Sequence, residues 1–271
     1  MVSHISQGTA LITGASTGIG AVYADRLARR GYDLVLVARN RERLDALARQ
    51  ITDRTRRSVE VFVADLNDKK DLSAVEAKLR TDASITMLVN NAGVASATPL
   101  LNSDVDQMEA MIGLNVNVLM RLTYAAVPGF VARGAGAVVN IASVVAVAPE
   151  ALNGVYGATK AFVLAFSQSL QHELSAKGIR VQAVLPGATR TPIWGLAGVD
   201  LDTFPKGYVM EVDDMVDAAL AGFDLGEFAT VPALPNAADW NAFESARLSL
   251  GPNLSRTEPA RRYAVATRAT A

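Results

Sequence analysis

Tyr156 and Lys160 are the residues whose types and spacing point most directly to chemistry. They are four positions apart, which on a helix places a phenol and an ammonium on one face. A free tyrosine has a pKa of about 10 and exchanges protons poorly at neutral pH, whereas a cation one helical turn away favours the phenolate. We therefore expect Lys160 to lower the pKa of Tyr156 and make it a general acid or base for a carbonyl oxygen. The same spacing also occurs on solvated helices without any chemical role.

A glycine-rich segment, Thr13–Gly20, lies where a strand-like run gives way to a helical pattern. Its Gly-x3-Gly-x-Gly spacing permits a tight turn and a close approach of the backbone to a pyrophosphate, while the helix N-terminus supplies N–H donors. An ordinary glycine-rich turn has the same composition, but the position before the first helix of a βαβ unit favours a dinucleotide site. The expected contacts are Gly14, Ser16, Thr17, Gly18, Ile19 and Gly20.

The end of the second strand-like run selects between the two nicotinamide dinucleotides. An NAD site places a carboxylate there for the ribose 2′-hydroxyl, whereas a nearby arginine suits the 2′-phosphate of NADP. The run ends Val37-Ala38-Arg39-Asn40-Arg41, without an acidic residue at its tip. Both arginines also suit the solvated start of a helix. Because arginine binds phosphate in a bidentate manner, we expect NADP(H), with Arg39 as a ligand and NAD less favoured.

Composition argues against several other functions. Net charge is −1, from 26 basic and 27 acidic residues, and no long basic block suggests binding to nucleic acid or to an anionic membrane. The chain has no cysteine and only two histidines, which argues against thiol catalysis and a multi-histidine metal site, so no metal is expected. The first seven residues do not read as a signal peptide, and no apolar run reaches the roughly 20 residues of a membrane span. We expect a cytoplasmic protein.

Strand-length apolar runs alternate with helical patterns along most of the 271 residues, which predicts βαβ units, a parallel sheet and a single domain over residues 1–271. Residues 191–208 and 232–271 lie outside the alternation, and we interpret them as a substrate lid loop and a C-terminal extension. The predicted strands are Ala10–Thr13, Asp33–Ala38, Val59–Ala64, Ile85–Asn90, Ala137–Ala142, Arg180–Leu185 and, more weakly, Glu227–Val231. The predicted helices are Gly18–Arg30, Arg41–Asp53, Lys69–Leu79, Val105–Val131, Gly154–Lys177, Val212–Gly222 and a short one near Asp239–Leu248.

From residue 8 to about residue 190 the chain resembles the compact, single-domain branch of the short-chain dehydrogenase/reductase family. The resemblance implies an α/β, doubly wound Rossmann fold with a seven-stranded, mostly parallel sheet and helices on both faces. It rests on seven landmarks in order, each at the expected end of its element: Thr13–Gly20, Asp65, Asn90-Asn91-Ala92-Gly93, Asn115, Ser143, Tyr156 with Lys160, and Pro186-Gly187.

The resemblance also implies roles for these residues. Tyr156 exchanges the proton, Ser143 polarises the substrate oxygen, Lys160 lowers the tyrosine pKa and binds the nicotinamide ribose, and Asn115 holds a water that connects the lysine to solvent. Asn90 is expected both to line the cofactor site and to brace the sheet. Each could instead have only a structural role, such as a turn serine or a mid-helix amide. The remaining implied cofactor contacts are Asp65, Leu66, Asn91, Ala92, Gly93, Pro186, Gly187 and Thr191.

The predicted function is NADP(H)-dependent interconversion of a carbonyl and a secondary alcohol. The apolar residues 144–148, together with the 191–208 loop, favour a mainly apolar small-molecule substrate, although they could equally pack a loop or a subunit contact. A stripe of small residues (Ala158, Ala161, Ala165 and Ser169) favours a homodimer or homotetramer, unless it packs on the subunit's own sheet. The alternatives are a non-catalytic dinucleotide sensor, an extended-branch epimerase or dehydratase, and a 3-oxoacyl reductase.

Overall fold

Parallel strands form one seven-stranded sheet in the computed structural model, which describes residues 7–264. The spatial order is β3-β2-β1-β4-β5-β6-β7, and every pairing within it is parallel. The predicted α/β fold is therefore confirmed, including the weak seventh strand. The strands are β1 Thr9–Thr13, β2 Asp33–Ala38, β3 Val59–Val63, β4 Ile85–Asn90, β5 Gly136–Ile141, β6 Ile179–Val184 and β7 Ala229–Thr230.

Helices cover both faces of the sheet because successive strand residues face opposite ways. In β1, Ile12 packs in the core beneath α1, α2 and α8, while its neighbour Leu11 packs in the core beneath α3, α5 and α6. The sheet is thus doubly wound. The helices are α1 Gly18–Arg29, α2 Arg41–Thr55, α3 Lys69–Thr81, α4 Val105–Ile112, α5 Leu119–Arg133, α6 Gly154–Leu174, α7 Ile193–Leu196, α8 Val212–Asp224 and α9 Ala237–Ser249.

The strand order places the site. β1 lies between β2 and β4, so the connections leaving β1 and β4 run to opposite sides of the sheet. Open α/β sheets bind their ligands in the crevice that this reversal opens at the carboxyl ends of the strands. The loops after β1, β4, β5 and β6 meet there.

The helix predicted over Val105–Val131 is interrupted. Between α4 and α5 the segment Gly113–Val118 is π-helical, and α5 continues to Arg133. By length and composition alone, Val105–Arg133 is long and apolar enough to cross a membrane, contrary to the expectation that no segment would be. The core helix of a soluble protein passes the same test. Here Leu122 and Phe130 of α5 are buried in the core on one face of the sheet.

Residues 7–232 form one compact unit and residues 233–264 form a second. The first includes the 191–208 loop, which contains α7 and a 3-10 turn, Leu201–Thr203. The second contains α9, which confirms the short helix predicted near Asp239–Leu248, and in it the rings of Trp240 and Phe243 lie 5.3 Å apart between centroids. The role of the loop as a lid stays a prediction.

Candidate active site

The glycine-rich turn after β1 has the conformation and the close packing that its glycines predict. Gly14 and Gly18 have φ angles of +65° and +56°, which side-chain-bearing residues rarely adopt. A Cβ atom on Gly14 would also lie 2.9 Å from the Cα of Ala92. Gly20 serves a different purpose, because a Cβ there would lie 2.5 Å from the carbonyl oxygen of Gly14. Its hydrogen atom lets the first turn of α1 pack against the loop.

Asn91 holds this turn against the end of β4. Its Nδ2 donates to the carbonyl oxygens of Thr13 at 2.8 Å and Gly14 at 3.2 Å. The Thr13 hydroxyl accepts in return from the backbone N–H groups of Asn91 and Ala92, both at 3.0 Å. Asn90 points elsewhere: its Nδ2 donates to Asn140 Oδ1 at 2.9 Å in the buried sheet. The expectation that Asn90 lines the cofactor site is wrong, while its bracing of the sheet is confirmed.

Tyr156 is positioned by the start of α6. The N-cap residue Asn153 accepts hydrogen bonds from the backbone N–H groups of Val155 and Tyr156, and its Nδ2 donates to the Thr98 carbonyl at 2.6 Å. The cap thereby fixes the first turn of α6 to the loop that follows β4. Ser143, two residues after β5, lies near enough to Tyr156 for its hydroxyl to lower the pKa of the phenol. Its Oγ donates to the Pro186 carbonyl at 3.3 Å, which places Ser143 beside the loop after β6.

Lys160 lies one helical turn after Tyr156, on the same face of α6. Its side chain is buried, and Nζ donates to the carbonyl oxygen of Ile141 at 2.9 Å. Nζ is 5.8 Å from the centroid of the Tyr156 ring. The predicted pairing of phenol and ammonium on one helical face is therefore present.

The expected lowering of the Tyr156 pKa is wrong for this structure. Burial raises the pKa of Tyr156 to about 12, and the smaller, opposing effect of the nearby Ser143 hydroxyl does not offset it. Burial also lowers the pKa of the Lys160 ammonium to about 8. The lysine donates to a backbone carbonyl rather than to the phenol, so at neutral pH the structure favours a protonated tyrosine.

Asn115 lies in the π-helical segment and connects two parts of the site. Its Oδ1 accepts from the Val94 N–H, and its Nδ2 donates to the Val94 carbonyl, each at 2.9 Å. The same Nδ2 lies 3.1 Å from Thr159 Oγ1 on α6. Gly93 allows this approach, because a Cβ on it would lie 3.0 Å from Asn115 Oδ1. The side chain therefore bonds the loop after β4 and α6, rather than its own helix.

These elements enclose a cavity of about 930 Å³ at the carboxyl end of the sheet. Asn115 and Gly20 are not among its described lining residues, but Asn115 bonds the lining residue Val94 and Gly20 packs against the lining residue Gly14. The other predicted site residues line it: Gly14, Ser16, Thr17, Gly18, Ile19, Arg39, Asp65, Leu66, Asn91, Ala92, Gly93, Ser143, Tyr156, Lys160, Pro186, Gly187 and Thr191.

Sequence reasoning missed one charged residue of the cavity. Arg39 and Arg43 line it, whereas Arg41 is not among the described lining residues. The available signal was Asn40, which caps α2 by accepting from the Arg43 N–H at 2.9 Å and so places Arg43 in the first helical turn. Arg39 also lies 4.0 Å from the carboxylate of Asp65, another lining residue.

The charges of the cavity are unevenly placed. Among its described lining residues, the charged side chains are Arg39, Arg43 and Asp65 near the ends of β2 and β3, and Lys160 beside Tyr156. Helices α4 and α7 and the loops around Tyr156 contribute uncharged and mostly apolar side chains: Ser96, Thr98, Gln107, Met108, Met111, Val145, Leu152, Ile193, Trp194, Leu196, Phe204 and Tyr208. One end therefore suits an anionic ligand and the other an apolar one.

Comparisons with known proteins agree with this geometry. A family model described as short chain dehydrogenase matches residues 8–199. A short-chain dehydrogenase of Sphingobium yanoikuyae, solved in complex with NADPH, is 54% identical with a TM-score of 0.91, covering 94% of this chain and 99% of that one. A bulky-bulky ketone specific alcohol dehydrogenase of Comamonas testosteroni is 45% identical with a TM-score of 0.88, covering 96% and 99%.

A more distant relative carries a different substrate name. A very-long-chain 3-oxoacyl-CoA reductase of Anas platyrhynchos is 35% identical over 206 residues, which make up 74% of this chain and 66% of that protein.

Replacing Lys160 with methionine should stabilise the fold near pH 7. The native pKa of about 8 lies below the unfolded value of 10.5, so wild-type stability rises as the pH increases between these values and the burial cost of the ammonium is fully present at pH 7. Lys160→Met removes that cost and loses the bond to Ile141, which leaves a net gain of about 1–2 kcal/mol in the free energy of unfolding. Urea titrations near pH 7 and pH 10 measure it.

The gain should shrink towards pH 10, where wild-type Lys160 is neutral in the native state. Lys177→Met, at an exposed position just after α6, is the control and should change stability little at either pH. A Lys160→Met variant that is less stable at pH 7, with a difference that does not depend on pH, would contradict the prediction.

Proposed function

The chain belongs to the short-chain dehydrogenase family of oxidoreductases, and we propose that it uses NADP(H) to interconvert an apolar ketone and its secondary alcohol. Tyr156 is the proton donor and acceptor in this proposal. The observation that carries this proposal is the shared cavity. Ser143, Tyr156 and Lys160 line the same space as the glycine-rich turn and the two arginines. A proton-transfer group therefore lies beside a site whose chemistry suits a dinucleotide phosphate.

The residues present fit NADP(H) as the cofactor. Gly14 and Gly18 line the cavity where α1 begins, so the backbone N–H groups of the turn can approach a pyrophosphate at a helix N-terminus. Arg39 and Arg43 offer two guanidinium groups where a 2′-phosphate needs cations, and Asp65 is 4.0 Å from Arg39. The NADPH complex of the 54% identical Sphingobium protein supports the same cofactor.

When bound, NADPH would supply the hydride that the carbonyl carbon of the substrate accepts. Ser143 donates a hydrogen bond to the substrate oxygen and thereby polarises it. Tyr156 then gives its phenolic proton to that oxygen as negative charge develops there. The raised pKa of Tyr156 keeps this proton in place at neutral pH, and the positive charge of Lys160 on the same helical face favours the phenolate left after transfer.

The uncharged lining beyond Tyr156 supports an apolar substrate. A carboxylate or phosphate on a substrate would lose its water there. Lys160 is the one cation that the described lining residues near Tyr156 could offer it in exchange. The 45% identical Comamonas protein is named for bulky-bulky ketones, which supports a ketone as the substrate.

A 3-oxoacyl thioester is a second candidate substrate. The 35% identity to a very-long-chain 3-oxoacyl-CoA reductase favours it. Coenzyme A carries several phosphates, and the described lining beyond Tyr156 supplies no cation for them. Acetoacetyl-CoA therefore belongs in the substrate panel, and a kcat/KM for it above that of every neutral ketone would replace the apolar-ketone proposal.

Substituting either cavity arginine should weaken the preference for NADPH over NADH. Arg39→Ala and Arg43→Ala each remove charge-assisted bonds to the 2′-phosphate, so we expect each to weaken NADPH binding by about tenfold to a hundredfold. NADH lacks this phosphate, and its dissociation constant should change much less. Arg41→Ala, outside the described lining, should have the smallest effect of the three. Fluorescence titrations with both cofactors measure these effects, and equal losses for NADH and NADPH would contradict the assignment.

Tyr156→Phe should separate binding from proton transfer. The phenyl ring keeps the packing of Tyr156 with Met108 and Met111, so the NADPH dissociation constant should stay within about threefold of wild type. Loss of the phenolic proton should lower kcat by about 10²- to 10⁴-fold with a ketone substrate. Steady-state rates and cofactor titrations on the same preparation test both parts. A variant that retains wild-type kcat would exclude Tyr156 as the proton donor.

The exposed face of α6 supports a homo-oligomer. Ala158, Ala165 and Ser169 of the small-residue stripe are exposed rather than packed on the subunit's own sheet. Tyr124 on the neighbouring α5 is 69% exposed, and its ring stacks on that of Phe166 at 6.4 Å. Aromatic side chains are enriched at subunit interfaces, and the small side chains beside Tyr124 leave room for a second copy to approach it.

Ala165→Arg should therefore dissociate the wild-type oligomer into single chains, because it places a charge at the centre of that face. Light scattering gives the mass of the wild type and of the variant. Ala77→Arg, at an exposed alanine of α3, is the matched control and should keep the wild-type mass. A monomeric wild type, or an Ala165→Arg variant that assembles as before, would contradict the proposal.

A further inference from the structure

Three aromatic rings of the 191–208 loop form one wall of the cavity. Trp194, Phe204 and Tyr208 all line it. The Trp194 and Phe204 rings meet edge to face with centroids 6.2 Å apart, and Phe204 stacks on Tyr208 at 5.4 Å. Aromatic pairs at these separations stabilise one another beyond the area they bury. The loop therefore presents a continuous aromatic surface to the apolar end of the cavity. The described lining residues at that end, beyond Tyr156 and Lys160, are uncharged.

Trp194 is the ring of this wall that is bonded to the rest of the site. Its indole Nε1 donates to the carbonyl oxygen of Thr189 at 2.8 Å. Thr189 is 3% exposed and pairs with Met210 as an isolated parallel bridge. The Met210 N–H donates to the Ala188 carbonyl and the Arg190 N–H donates to the Met210 carbonyl, each at 2.9 Å. The acceptor of the indole is thus held at the base of the loop.

That base continues directly into the catalytic end of the cavity. Thr189 follows Pro186 and Gly187, and the Pro186 carbonyl lies 3.3 Å from Ser143 Oγ. The residues from Pro186 to Thr189 therefore link Ser143 to the indole of Trp194, with a hydrogen bond at each end. These bonds fix the position of Trp194 relative to Ser143 Oγ, the atom proposed to polarise the substrate oxygen.

The wall next to Tyr156 has a different character. Met108, Met111 and Val145 are buried in one apolar cluster with Tyr156, and Leu152 packs against them. Methionine side chains are unbranched and polarizable, and they adapt to irregular neighbours. A substituent directed at this cluster meets side chains that can rearrange. A substituent directed at Trp194 meets a ring held by a hydrogen bond and by an edge-to-face partner.

We propose that Trp194 is the specificity-determining residue of this enzyme: its fixed indole limits the size of one substituent of the ketone, while the methionine cluster accommodates the other. This inference rests on the proposed ketone reduction and names the residue that selects among ketones. It also assigns stereochemistry to the same contact. Because one substituent is restricted and the other is not, an unsymmetrical ketone binds mainly one way round, and hydride reaches mainly one face of its carbonyl.

The test uses alkyl phenyl ketones from methyl to hexyl, with NADPH consumption followed by absorbance. Trp194→Ala opens the restricted side, so the ratio of kcat/KM for the hexyl ketone to kcat/KM for the methyl ketone should rise at least about tenfold. The enantiomeric ratio of the alcohol formed from the propyl ketone should fall, as measured by chiral chromatography. Trp194→Phe keeps a ring but loses the bond to Thr189, so both quantities should change in the same directions by less.

Leu225→Ala is the matched control. Leu225 is 80% exposed just after α8 and is not among the described lining residues, so its removal should leave both ratios unchanged. NADPH titration and a thermal melt on each variant check that cofactor binding and folding are retained. If Trp194→Ala does not fold, Trp194→Phe decides the matter, because it retains most of the buried ring surface.

The outcomes separate this inference from the proposed function. A wild type that binds NADPH and reduces no ketone of the series contradicts both. A wild type that reduces them, with a Trp194→Ala variant that keeps its size ratio and its enantiomeric ratio, overturns only the role of Trp194. An equal loss of kcat/KM for every ketone, with the enantiomeric ratio unchanged, would also overturn it, because it would show that the indole only supports the fold of the loop.

Discussion

The burial of one ammonium group constrains the arrangement of the whole site. Lys160 is placed away from water, which costs several kcal/mol for an ion, and its Nζ is bonded to the carbonyl of Ile141, the last residue of β5. That bond requires α6 to pass directly over the carboxyl end of β5. Two turns further along α6, Ser167 Oγ accepts from Asn140 Nδ2 at 2.9 Å, which ties the same helix to the residue before Ile141. These two bonds hold α6 in a fixed position along β5, and this position places Tyr156 at the cavity.

This register extends across the sheet through buried amides. The Nδ2 of Asn90 on β4 donates to Asn140 on β5, and also to the Thr123 hydroxyl on α5 at 3.1 Å. The neighbouring Asn91 holds the glycine-rich turn after β1. Two consecutive asparagines therefore connect α6 to the glycine-rich turn through the centre of the sheet. Buried polar networks of this kind specify one geometry, since an amide out of register would lose partners that water cannot replace.

The sequence predicted the strands, most helices and many of the residues that line the cavity because these depend on local pattern and on order along the chain. Features that depend on packing were not predictable in this way. The π-helical turn at Asn115 is one, because its bonds to Val94 and Thr159 come from other elements. The choice of Arg43 over Arg41 depends on how α2 is rotated relative to the cavity. The direction of the Tyr156 pKa shift was missed because spacing reveals the nearby cation but not the burial that outweighs it.

The opposite pKa shifts of Tyr156 and Lys160 have one cause and complementary effects. Burial disfavours both charged forms, so it raises the pKa of the phenol to about 12 and lowers that of the ammonium to about 8. The charged form of each group is therefore destabilised while it is alone, and an opposite charge formed nearby would stabilise it. A phenolate created by proton transfer would gain the attraction of a lysine that lacks an acidic partner among its described contacts, and the lysine would gain an anion in return. The cost of burying Lys160 in the resting protein is therefore largest before proton transfer and smaller after it, which is the direction that lowers a barrier.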